Sequence, residues 1–482
     1  MSGIKPSRRW QPAFYPFKRE RCGRRVLAKT ELLIKGPVFG CRMCGNCLLQ
    51  ETAFICPMEC PKGLRNGPCG GSTREKCYVD ETRKCVWYSI FEKSFMMQRE
   101  ERLLEVLPPI DWNKAGTETW WDVVEQVRRV GTGKFLKSRF SNNHADRREV
   151  WESVFRPVRQ PEWWNGDSEY HSPAYTEPVS NLENKFRNGE FVFTTEVLPP
   201  LHSNTDRLRK NIELVKHHVT AINFTDNSSS VPRMAGMTCC TIASSLGAEP
   251  VFQITARDNT RYGFQSKVLG ANSMGINNIL CITGDSPKMG PPPEGNMNIL
   301  DMDSVQMIWL LRKMRDEGKY LDGREIKYPP KVFIGAAASP FASKPEYQAL
   351  REQKKVNAGA QFLQTNLVYD QKGLEQWLEQ LDKRDVLGKV FILVGVAPIR
   401  SLSMASHLNS VPGVTIPENI MKRIENAGES AQEEGIAIAL EFISSIRNLK
   451  GVSGVHLMTL GCETTVERIV RESGLVTSGN KL

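Results

Sequence analysis

The sequence has no long apolar run. Nothing in it approaches eighteen consecutive apolar residues, so no membrane-spanning helix is expected. It also lacks the apolar centre of an export signal: SRRW (residues 7–10) pairs two arginines, but QPAFYPFKRERCGRR follows. Pro6, Pro12 and Pro16 argue against the amphipathic helix of an organelle presequence, and a cytoplasmic location is the expectation. Cysteine is scarce over most of the chain. Nine of the thirteen lie between Cys22 and Cys85, and roughly 400 cysteine-poor residues come after them. A disulfide framework belongs to small secreted domains, so these thiols read as metal ligands in a reducing compartment.

An excess of acid is missing too. The net charge of +10 invites a nucleic-acid reading, but residues 1–40 hold ten Lys or Arg against two Glu, and the remainder is near balance. A basic arm beside anionic thiolates suits an acidic electron carrier as well as it suits phosphate, and no nucleic-acid partner is expected. At 482 residues, 40 % hydrophobic and 24 % charged, the chain has room for two or three domains with ordinary cores.

Three segments differ in pattern. Residues 1–110 hold the basic arm and the cysteines and end in CVWYSIFEKSFMMQREERLLEVL (85–107), which the apolar spacing predicts to be one helix. Residues 111–185 read as a connector with one helical piece near 117–130 and two Trp pairs, Trp120–Trp121 and Trp163–Trp164, as docked aromatic anchors. From 186 to 482 β-branched runs alternate with amphipathic stretches. FVFTTEV, VTAINFT, PVFQIT, NNILCITG, KVFIGAA, QFLQTNL, VFILVGV and GVHLMTL are eight candidate strands, the pattern of a (β/α)8 TIM barrel. An open doubly wound sheet would want a GxGxxG turn after the first strand, and TTEVLPPLHS has none.

Active sites of such barrels gather where strands end. Those ends carry Glu196, Thr225 and Asp226, Thr255 with Arg257 and Asp258, Asp285, Ser339, Asn366, Pro398 and Thr459. A carboxylate half buried at Glu196 has its charged form disfavoured and can act as an acid near neutral pH. At Asp285, the preceding Gly284 lets backbone approach a ligand, although an Asx turn explains the pair equally well.

TTEVLPP, INFTDNSS, ITGDSP, KVNAGAQFLQTNLVYD, GVAPI…VTIPENI and VHLMTL, in this order, resemble the methylenetetrahydrofolate reductases, flavin-dependent barrel enzymes of one-carbon metabolism. The resemblance covers residues 190–475. It implies bound FAD, with FMN as the alternative, a folate substrate, NAD(P)H or a ferredoxin-type donor, and self-association into a homo-oligomer. It also implies interconversion of 5,10-methylene- and 5-methyltetrahydrofolate, with Glu196 as proton donor and Asp285 beside flavin and folate. Thr225, Thr255, Thr283, Gly284 and Lys355 match cofactor-contacting positions, while Asn366 and Leu402 match substrate-contacting ones. Departures occur at Asn366, where the family commonly has Gln, at Arg351, Lys354 and Leu402, and at Gln253, where it often has His. A different class of function is a folate-binding barrel acting in methyl transfer, with the cysteine segment docking a corrinoid or methyltransferase protein.

CRMCGNCLLQETAFICPMECPKGLRNGPCGGS resembles a cysteine-rich domain found beside this reductase in some bacteria. Its spacing sets Cys41, Cys44, Cys47 and Cys56 before Cys60, Cys69, Cys77 and Cys85. Three thiols at x2 spacing, with Pro after Cys56 and Cys60, lean toward iron–sulfur ligation, with zinc as the alternative.

Overall fold

A computed structural model describes residues 15–17 and 22–475, apart from 162, 165, 167, 288, 289, 291–299 and 412. SRRW and six of the ten Lys or Arg of the basic arm lie outside the described residues. Eight parallel strands close into a barrel: β1 Val192–Glu196, β2 Ala221–Phe224, β3 Pro250–Thr255, β4 Asn278–Ile282, β5 Phe333–Ala338, β6 Phe362–Leu367, β7 Phe391–Val396 and β8 Val452–Leu457. β8 pairs back onto β1, with Thr194 opposite His456. The (β/α)8 TIM barrel expected from the strand–helix alternation is therefore the fold of residues 192–457.

Side chains alternate across a strand, so every second residue points into the barrel. The lowest inward row is apolar: Val192, Ala221, Val251, Leu280, Phe333, Phe362 and Leu393 form one buried cluster. Leu182 and Phe186, from the helix Asn181–Arg187, close it from below. Phe186 stacks on Phe391 with centroids 4.8 Å apart, a geometry that adds about 0.5–1.5 kcal/mol to simple burial. Gly335 on β5 makes room for this row, since a Cβ there would lie 2.2 Å from the Phe362 ring. Among the described residues this row seals the bottom of the barrel, and the cavity lies at its C-terminal mouth.

The segment before the barrel is more helical than its sequence indicates. It holds α1 Cys22–Phe39, α2 Val86–Met96, α3 Trp120–Val130, α4 Thr132–Arg139 and α5 His144–Arg159. In α5 the charged surface obscures a buried stripe of Val150, Val154 and Val158 at four-residue spacing. The single helix expected over 85–107 stops at Met96. Gln98 takes φ +53° and the Arg99 amide donates back to Ser94 O, after which Glu100–Leu104 continues as a 3-10 turn.

The cysteine segment and the barrel share one core. Trp87, Tyr88 and Phe91 of α2 are buried in the cluster that contains Trp309 and Leu350 of the barrel's outer helices. Trp164 stacks on Trp309 at 3.9 Å, and Gln348 donates to the Tyr88 hydroxyl at 2.8 Å. Asp303 accepts from the Arg65 amide and from Asn66 Nδ2 while its other oxygen caps the helix Ser304–Arg312.

Gly45, inside CRMCGNC, has φ +66°, and a Cβ there would lie 1.9 Å from Lys114 O. Gly45→Ala therefore combines a left-handed penalty with a backbone clash. It is expected to destabilise the chain by about 3 kcal/mol or more, read as a lower denaturation midpoint. A midpoint unchanged from wild type would show that the 114–117 turn moves aside freely.

Candidate active site at the barrel mouth

Above the apolar floor the inward rows turn polar. Thr194 Oγ1 lies 2.9 Å from His456 Nδ1, and Asn223 Nδ2 donates to Gln364 Oε1 at 2.7 Å. Burial pushes the His456 imidazole down to about 3, so it is neutral and acts as a hydrogen-bonding group. One position further up each strand lies the rim of a cavity of about 350 Å³, within the range of small-molecule sites.

That cavity gathers most of the barrel residues singled out in the sequence: Thr225, Thr255, Thr283, Gly284, Asp285, Lys355 and Asn366 line it, as do Asp226, Gln253, Arg257, Ser339 and Arg351. Gly284 has φ +84°, and an added Cβ would meet Arg257 and Thr255 at 3.0 and 3.2 Å. Asp285 accepts from the Ser229 amide at 2.9 Å through Oδ2. Thr225 Oγ1 is buried and has no hydrogen-bond partner among the described residues, a donor left at the cavity wall. Lys355 is buried against Glu352 Oε2 (2.6 Å) and donates to Ala337 O; burial, followed by the Arg351 charge, lowers it to about 8. Asn366 spends its Oδ1 on the Leu367 amide at 2.9 Å.

Glu196 ends β1 on the same inward row but is not among the side chains lining the cavity. It is half buried, and burial followed by the charge of Glu463 pushes its carboxyl up to about 7. Glu463 is itself buried, 8 % exposed, at the turn leading into the helix Thr464–Glu472. It follows VHLMTL closely, and that strand-end placement is the signal in the sequence that would have found it. Leu402 stands apart: it is 39 % exposed at the start of the helix Leu402–Asn409 and is not on the cavity.

One wall of the cavity comes from the cysteine segment. Lys62, Cys69, Gly70, Gly71 and Tyr78 line it, although Lys62 and Tyr78 were not singled out in the sequence. The eight clustered cysteines divide in two. Cys41, Cys44, Cys47 and Cys56 surround one small void, and Cys60, Cys69, Cys77 and Cys85 another. The twelve cysteines with described side chains are free thiols, and burial pushes Cys44 and Cys85 up to about 11. Among the described residues no three His, Cys, Asp or Glu side chains form a group that would hold a metal ion as they stand. No described helix is long and apolar enough to cross a membrane.

Residues 181–474 match the family described as methylenetetrahydrofolate reductase, and residues 23–113 match methylene-tetrahydrofolate reductase C terminal. Methylenetetrahydrofolate reductase 2 of Schizosaccharomyces pombe is 27 % identical over 224 residues, which are 43 % of this chain and 33 % of the yeast protein. The chain thus spans about a third of that relative's length. The 5,10-methylenetetrahydrofolate reductase of Pectobacterium carotovorum subsp. carotovorum is 23 % identical over 60 % of this chain and 90 % of its own. A solved structure of a Clostridium thermocellum protein that binds two copies of 5-methyl-5,6,7,8-tetrahydrofolic acid overlaps at TM-score 0.44 and 13 % identity, covering 62 % of this chain and all of that one. With the first match running through the whole barrel and over more than half of its residues, the chain belongs to the methylenetetrahydrofolate reductase family.

Proposed function

We propose that the chain is a flavin-dependent oxidoreductase that interconverts 5,10-methylenetetrahydrofolate and 5-methyltetrahydrofolate. The observation that carries this reading is Glu196, a half-buried carboxyl held near neutral pH at the mouth of the barrel. Protonated there, it donates to N10 of methylenetetrahydrofolate, and the imidazolidine ring opens to an iminium ion at N5. Glu463 keeps the proton available by disfavouring the charged form of Glu196.

The cavity residues fit a flavin. The unpartnered Thr225 hydroxyl, the close backbone approach at Gly284 and the buried cation of Lys355 offer a donor, a flat wall and a charge. Thr225, Thr255, Thr283 and Gly284 would hold the ring system, and Lys355 would face the phosphates. Bound flavin supplies the hydride that the iminium carbon takes up. Asp285 and Asn366 would orient the pterin beside it.

Two thiol quartets support a pair of four-iron clusters better than zinc. Three thiols at x2 spacing, with Pro after Cys56 and Cys60, favour iron–sulfur ligation over the separated CxxC pairs of a structural zinc site. Each quartet encloses a void, and Cys69 of the second also lines the barrel cavity. That adjacency supports one-electron delivery through the cysteine segment from a ferredoxin-type protein, with NAD(P)H as the alternative donor.

Full-length protein purified without oxygen is expected to carry yellow flavin that a reductant bleaches and methylenetetrahydrofolate restores. A chain that takes up no flavin, or whose reduced flavin ignores the folate, would sink this reading.

A further inference from the structure

The cysteine segment does more than lie beside the barrel: it grips the one turn on which the chemistry depends. Lys62 Nζ donates to Gly284 O at 2.7 Å. Tyr78 Oη donates to Asp285 Oδ1 at 3.2 Å, the oxygen that the Ser229 amide leaves free. The two arms brace each other, with the Lys62 ammonium 5.2 Å from the centre of the Tyr78 ring. Both are rooted in the second quartet, since Lys62 lies two residues after Cys60 and Tyr78 directly follows Cys77. The Tyr78 amide donates to Ser72 Oγ at 3.1 Å, and that hydroxyl sits 3.2 Å from Cys69 Sγ. Gly71 makes the ring's position available, because a Cβ there would lie 2.6 Å from two Tyr78 ring carbons.

We propose that Tyr78, seconded by Lys62, is a positioning residue for Asp285, so that the active site of the barrel is completed by the cysteine segment. The inference rests on the flavin-and-folate reading above. Its physical content is electrostatic and geometric together. The phenol draws charge toward Oδ1 and fixes which way the carboxylate faces; the lysine holds the preceding carbonyl, and with it the backbone from which Asp285 projects. Without the phenol, the full carboxylate charge faces the cavity and opposes the added electrons of a reduced flavin. The carboxylate then keeps a single anchor, the Ser229 amide on Oδ2, and can pivot about it away from the pterin.

The test uses the full chain, loaded with FAD. Tyr78→Phe keeps the ring, its packing and the contact with Lys62, so folding is expected to be intact. The midpoint potential of its bound flavin is expected to fall below that of wild type, and reoxidation by methylenetetrahydrofolate to slow roughly tenfold, as suits loss of a hydrogen bond to a charged group. Gly71→Ala, which displaces the ring without removing the hydroxyl, is expected to move the potential in the same direction. A flavin-loaded Tyr78→Phe chain with wild-type potential and reoxidation rate would overturn this proposal alone. A wild-type chain that binds no FAD would overturn the flavin reading, and this proposal with it.

Discussion

Glu196→Gln is expected to lower turnover of methylenetetrahydrofolate by roughly 10²–10⁴-fold, the range that general acid catalysis contributes, while reduction of bound flavin continues at the wild-type rate. The glutamine keeps the shape and loses the proton. In the native chain kcat/KM is expected to be flat below about pH 7 and to fall tenfold per unit above it, because the carboxyl that must be protonated is pushed up to about 7. The cause of the shift supplies a second variant. Burial comes first and the Glu463 charge second, so Glu463→Gln moves the falling limb to lower pH without abolishing turnover. Stability distinguishes lost chemistry from lost fold. A carboxyl whose folded value lies above its unfolded one loses stability as pH rises from the unfolded value toward the folded one. Glu196→Gln, which cannot ionise, is therefore expected to be more stable than wild type above pH 7. Stopped-flow measurement of the two half-reactions decides the matter: equal loss of both would remove Glu196 from the role of proton donor.

The barrel was legible because its two periods are clean. β-Branched runs of period two sit between helices of period 3.6, and polar residues collect at one end of the runs. Seven of the eight strands fall within two residues of the stretches read from sequence at both ends. β8 is the exception: it runs Val452–Leu457, ending three residues before the GVHLMTL stretch does, and Gly454 sits within it where a side chain would otherwise mark the strand. That glycine is forced by packing: a Cβ would lie 2.1 Å from Val192 O on the neighbouring strand. The cavity residues at strand ends were legible for the same reason as the strands, whereas Lys355, inside the helix Pro345–Ala358, was legible only through the family resemblance. Lys62 and Tyr78 were not, since each reaches a partner more than 200 residues away and neither belongs to a local pattern. The α5 helix was obscured by charge although it buries a valine stripe, and α1 by its place in the basic arm and by Gly36-Pro37 near its end.

The thiols carry the other large expected effect. Cys85 lies at the start of α2, in the second quartet, and does not itself line the barrel cavity. Serine is a poor ligand for iron–sulfur clusters, which are held by soft thiolates. Wild-type protein is expected to contain about eight irons and Cys85→Ser about four, with Cys44→Ser in the first quartet giving the same halving. The consequence for electrons differs from that for iron. Cys85→Ser is expected to stop reduction of the flavin by a one-electron protein donor, because the quartet that adjoins the cavity through Cys69 no longer relays. Flavin reduced chemically with dithionite in the same variant is expected still to pass hydride to the folate, since Glu196 and Asp285 themselves are unchanged. A wild-type chain replete with zinc and free of iron, yet reduced directly by NAD(P)H, would reject the cluster assignment and make the cysteine segment a brace. A Cys85→Ser chain that loses half its iron but keeps full donor-driven reduction would reject the relay and keep the clusters. The two results fall on different instruments, metal analysis and flavin absorbance, so the nature of the thiol sites and the path of the electrons are decided separately.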